Sequence, residues 1–142
     1  MRIQKLVGII VGIIATLLMS ACEVPTTLEI KDGNPLTFVM SGSARFDGIR
    51  VTGPKMREAE GEEQYVVWQI KGLSEGLKGV RSIGPITYGK VPLGYEQIYP
   101  ENGEAPPLVE GERYFVRVKT TGAKGAERYF SIHSGKVTVD SP

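Results

Sequence analysis

The sequence predicts an all-β protein, a single antiparallel β-sandwich of about seven or eight short strands behind an N-terminal leader. Three observations carry that expectation. The 142 residues include 18 glycines and 9 prolines, spaced so that few uninterrupted runs are long enough for a stable helix. Between these breaks stand short runs in which apolar and polar side chains alternate, the period of a half-buried strand. No stretch sustains helical periodicity. "PKMREAEGEEQ" offers at most one turn, and Gly61 interrupts it.

The leader comes first. "MRIQK" supplies two positive charges, Arg2 and Lys5, and "LVGIIVGIIATLLM" follows with none. The small residues Ser20 and Ala21 close the run. A charged start, an apolar core and a small-residue cleavage site make a secretory signal peptide, here residues 1–21. The apolar run is shorter than the roughly 20 residues that span a bilayer, and its glycines and Thr16 weaken it further as a permanent span.

Cys22 is the sole cysteine, so it has no intrachain disulfide partner. "LLMSAC" resembles the lipobox of bacterial lipoproteins, with Met19 where that family commonly has Leu. The resemblance implies a cut between Ala21 and Cys22, a diacylglyceryl group on the Cys22 thiol, and acylation of the new amine. One acyl chain holds a protein to a membrane only marginally, whereas two or more anchor it stably. The membrane, reached through this lipid, is the first expected partner. The family's inner-membrane signal is an Asp after the cysteine. Glu23 stands there instead, so the resemblance implies the periplasmic face of the outer membrane in a Gram-negative source. The plain alternative is an ordinary signal peptide with an incidental cysteine.

Residues 22–27, "CEVPTT", suit a lipidated tether, and residues 28–142 form the expected domain. "TLEIK" and "LTFVM" flank a turn at Asp32-Gly33. Leu36, Phe38 and Met40 share a face. In "ARFDGIRV", Ala44 and Phe46 take one phase and Ile49 and Val51 the other. A slip at Asp47-Gly48 is what a β-bulge produces. "QYVVWQIKG" is the clearest core strand: Val66, Trp68 and Ile70 inward, Val67, Gln69 and Lys71 opposite, with Trp68 as the core anchor. "RYFVRVKT" turns Tyr114, Val116 and Val118 inward and Arg113, Arg117 and Lys119 outward. Phe115 breaks the alternation, which leaves it for an edge or a partner. "AKGA" is a hairpin loop before "RYFSIHSGKVTVD".

The stretch between Trp68 and Tyr114 is rich in Gly, Pro and Tyr. Proline cannot donate within a central ladder, so short or edge strands are expected, with turns at "GKVPLG" and "PENGEAPP". Tyr88, Tyr95 and Tyr99 lie among these prolines and form a candidate partner surface, because tyrosine is enriched at interfaces. "LVEGERYFVRVKTTGAKGA" resembles the fibronectin type III pattern. The resemblance implies an Ig-like sandwich with a tyrosine corner at Leu108, Gly111 and Tyr114, whose hydroxyl would bond back to the backbone.

Charge and chemistry narrow the function classes. Seventeen basic and 16 acidic residues give a formal net charge of +1, so there is no basic field to attract nucleic acid. The lone histidine, His133, alternates away from Phe130 and Ile132 and reads as a surface residue. The cluster Glu58, Glu60, Glu62 and Glu63 lacks the spacing of a calcium loop and reads as solvated. No metal site, no cofactor and no catalytic residue is expected. The sequence therefore points to a non-catalytic lipoprotein of the cell envelope that binds a protein or glycan. Its rivals are an accessory subunit of an envelope machine and a small hydrolase or carbohydrate-active protein.

Overall fold

The computed structural model describes residues 23–53, 65–74 and 77–140. Among them run nine strands: β1 (Thr27–Lys31), β2 (Thr37–Ser41), β3 (Arg45–Thr52), β4 (Val66–Gly72), β5 (Ile86–Thr87), β6 (Tyr95–Tyr99), β7 (Arg113–Thr121), β8 (Ala126–His133) and β9 (Lys136–Asp140). They form two sheets, ordered β1-β2-β5 and β6-β4-β3-β7-β8-β9. Every pairing is antiparallel. The expected β-sandwich is what these residues form. Nine strands exceed the seven or eight expected, because the Pro/Gly-rich stretch yields both the two-residue β5 and the edge strand β6.

The core lies between the sheets. The smaller sheet contributes Leu36, Phe38, Met40 and Ile86, and the larger one Ile49, Val51, Ile70, Val116 and Val118, all buried. Phe38 meets Phe130 edge-on across the gap, with ring centroids 6.4 Å apart. Trp68 is fully enclosed. Each such large side chain stabilises the fold by about 1.5–3 kcal/mol through the apolar area it removes from water.

Two bulges set which residues face that core. Along β3 and β7 the register passes from Phe46↔Thr120 to Gly48↔Lys119, so Asp47 is the extra residue. Ala44 and Phe46 before the slip, and Ile49 and Val51 after it, are thereby all buried. The second bulge corrects the sequence reading. Val51 pairs with Trp68 but Thr52 pairs with Val66, so Val67 is supernumerary and is re-aimed. Val67 belongs to the buried core, and Val66, expected inside, is only half-buried.

The strand begins earlier than the expected tether boundary. The Thr26 N–H donates to the Lys124 carbonyl at 3.0 Å and the Ser43 N–H to that of Val24 at 3.2 Å. Thr27 already pairs with Ser41. Residues 24–27 are thus fixed to the fold rather than free.

Candidate functional site

The Pro/Gly/Tyr stretch folds so that two of its three tyrosines are structural. Tyr88 and Tyr95 are each only 6% exposed, which corrects the expectation that they form a partner surface. The Tyr88 hydroxyl donates to the Pro106 carbonyl at 2.7 Å, and its ring meets Trp68 edge-on at 5.3 Å. The Tyr95 hydroxyl donates to the Phe46 carbonyl at 2.8 Å and accepts from the Lys78 N–H at 3.1 Å. These bonds satisfy the polar end of an otherwise apolar side chain, the condition for burying a tyrosine. Burial pushes the Tyr88 phenol above its ordinary value, and the neighbouring Tyr114 adds to the rise. Burial likewise raises that of Tyr95, against the opposing Lys78 N–H and Arg45, with the Asp47 charge helping.

Tyr99 stands apart. It ends β6, the edge strand of the larger sheet, and is 38% exposed. Ile98 beside it and Leu93 just before the strand are also exposed, Leu93 to 87%. The apolar surface of this stretch therefore lies at the β6 edge and not on the buried rings.

Gln97 fixes that edge strand from within. Its Oε1 accepts from Trp68 Nε1 at 3.1 Å, and its Nε2 donates to the carbonyls of Pro100 and Gly103. At the β7 entrance the Tyr114 hydroxyl accepts from the Val109 N–H at 2.8 Å. Leu108 packs against the core, and Gly111 takes φ +81°, a conformation open to glycine. On the outer face Phe115 packs on Tyr129 at 4.7 Å. Arg113 lies 4.3 Å over the Tyr129 ring and 2.9 Å from Asp140.

His133 is exposed, and its Nε2 lies 3.1 Å from the Ser131 hydroxyl. Among the described residues no group of three His, Cys, Asp or Glu side chains is placed to hold a metal ion. Ala21, Cys22 and the cluster Glu58, Glu60, Glu62 and Glu63 lie outside the described residues.

One feature was hidden from sequence reading. Two shallow depressions, each about 600 Å³, adjoin on the larger sheet and share Arg117 and Lys119. The first adds Arg50 and Lys71 around Gly48, and the second adds Lys124 and Arg128 beside Pro25 and Thr26. Two carboxylates accompany the six cations. Asp47 accepts from the Thr121 hydroxyl, and Glu127 accepts from Arg117 Nε at 2.6 Å. The cations come from four strands and a hairpin loop, so no run of basic residues announces them. Comparison of the chain with protein families, curated proteins and solved structures returns no match.

Proposed function

We propose that this protein is a lipid-anchored component of the bacterial cell envelope whose β-sandwich acts by binding and not by catalysis. The observation that carries the reading is "LLMSAC", an apolar-small-small-Cys sequence at the end of a charged and then apolar leader. The fold is consistent with a short anchor. Only Glu23 separates Cys22 from Val24, the first residue hydrogen-bonded to the domain. Two residues of extended chain span about 7 Å, so lipid on Cys22 holds the sandwich directly against the bilayer.

The β6 edge favours a protein partner, as in an accessory subunit of an envelope assembly. An edge strand offers backbone N–H and C=O groups to a second chain. Leu93, Ile98 and Tyr99 add exposed apolar area beside them. A photo-crosslinker at Ile98 should capture one stoichiometric protein from native membranes, whereas one at Thr138 on the opposite edge strand should not. Equal capture at both positions argues against the β6 surface.

The anchor has its own test. Wild type should partition into the detergent phase and yield an N-terminal peptide beginning at a lipid-modified Cys22. Cys22→Ala should stay in the aqueous phase or retain its leader. An unmodified thiol on the mature protein rejects the reading.

A further inference from the structure

The tether meets the second of the cationic depressions at one end of the sandwich. Thr26 donates to the Lys124 carbonyl, and Pro25 and Thr26 themselves line the second depression with Lys119, Lys124 and Arg128. The Thr26 hydroxyl is buried there without a hydrogen-bond partner among the described residues. From that point Lys119 and Arg117, the latter paired with Glu127, lead into the first depression, which holds Arg50 and Lys71 together with Asp47. The opposite end of the molecule carries charges of both signs, with exposed Lys31, Arg113 and Lys136 among them. Asp32 in the β1–β2 turn and Glu101, Glu104, Glu110 and Glu112 between β6 and β7 are all exposed.

We propose that the tether end of the sandwich is a docking base for anionic phospholipid headgroups. It rests on the reading that Cys22 carries lipid, and it deepens that reading by giving the anchored domain an orientation. The described chain starts within about 7 Å of Cys22, so the end bearing Lys119 and Lys124 is the part of the domain closest to the bilayer. Attraction between exposed charges fades over a Debye length of about 10 Å at 0.1 M salt. Lys119, Lys124 and Arg128 line the surface beside Pro25 and Thr26, so they are the cations brought nearest to that range. A headgroup phosphate fits the chemistry of exposed Arg and Lys donors. The docked domain would present the β6 edge laterally to a neighbour in the membrane plane.

The experiment uses the full-length lipidated protein purified from native membranes. It is reconstituted into vesicles of phosphatidylcholine alone, or of phosphatidylglycerol and phosphatidylcholine mixed one to two. Lysines are acylated with a water-soluble reagent and mapped by mass spectrometry. In the anionic vesicles Lys71, Lys119 and Lys124 should label about fivefold more slowly, the factor that corresponds to one cation held at an anionic surface. Lys31 and Lys136, at the far ends of their strands, should label equally in both. High salt should abolish the difference, and the variant combining Arg50→Gln with Arg128→Gln should reduce it. The variant's labelling pattern in phosphatidylcholine reports whether it is folded like wild type. Uniform labelling in both vesicles, for protein that floats with them, overturns the docking base. Protection produced by inorganic phosphate in phosphatidylcholine vesicles also overturns it, in favour of a site for a free anion. Protein that fails to float, with an unmodified Cys22 by mass, instead refutes the anchor.

Discussion

The Tyr114 hydroxyl accepts a hydrogen bond from the Val109 N–H, five residues upstream, at 2.8 Å, while its ring stacks 5.7 Å from that of Phe130. One side chain therefore both closes the turn into β7 and fills the core. Tyr114→Phe separates these roles, since the ring can keep its packing while the Val109 N–H loses its acceptor. The expected loss is about 1 kcal/mol, seen as a drop of about 4 °C in the thermal midpoint. No change in midpoint would mean that water replaces the hydroxyl without cost.

Gln97 is a second point where one residue serves two elements. It accepts from the buried Trp68 indole and donates to two loop carbonyls. Gln97→Leu keeps comparable bulk but leaves the indole N–H without that acceptor in a buried place. A loss of about 1–3 kcal/mol is expected. Trp68 is the sole tryptophan, so its emission follows urea unfolding without interference from another indole, and the midpoint should fall.

Gly48 sits at the centre of the larger sheet between β4 and β7. A Cβ there would lie 2.4 Å from the Ile70 carbonyl oxygen, which is backbone and cannot swing aside. Gly48→Ala should destabilise by about 1–3 kcal/mol, as other overpacking changes do. Gly79→Ala is the control, because the nearest atoms to its Cβ are 3.8 Å away. Denaturant melts of the two variants should differ in the same direction as these distances.

The fold was largely legible because it follows from local period. The change of phase at Asp47-Gly48 is visible in which of Ala44, Phe46, Ile49 and Val51 are apolar, and the β3 bulge follows. Val67 was misplaced because its bulge depends on how β4 pairs with β3, which its own strand does not record. Tyr88 and Tyr95 were misread for a related reason. Their hydroxyls bond Pro106 and Phe46, distant in sequence, and the intervening prolines and glycines leave no period to show a face. The cationic depressions were invisible because net charge sums what the sheet separates. Arg50, Lys71 and Arg117 become neighbours only through the order β4-β3-β7.

The same buried phenols are expected to limit the stability of the fold in alkali. Burial is the leading cause of the raised values at Tyr88 and Tyr95, because a phenolate in these apolar surroundings loses its hydration. An unfolded tyrosine titrates near 10.0. The folded values lie above that, so below it both states hold their protons and the fold keeps its full stability. As pH rises past 10 the unfolded chain releases these protons while the native state retains them, and stability falls. The urea midpoint should therefore be flat on the neutral side and decline above pH 10. Tyr88→Phe should lower stability at neutral pH, through the lost bond to Pro106, yet make the alkaline decline shallower. Phenolate absorbance followed with pH should show a component that appears only as the protein unfolds, and this component should shrink in the variant. If all the phenolate signal develops while Trp68 emission remains native, Tyr88 and Tyr95 ionise inside the fold, and their burial does not govern its alkaline stability.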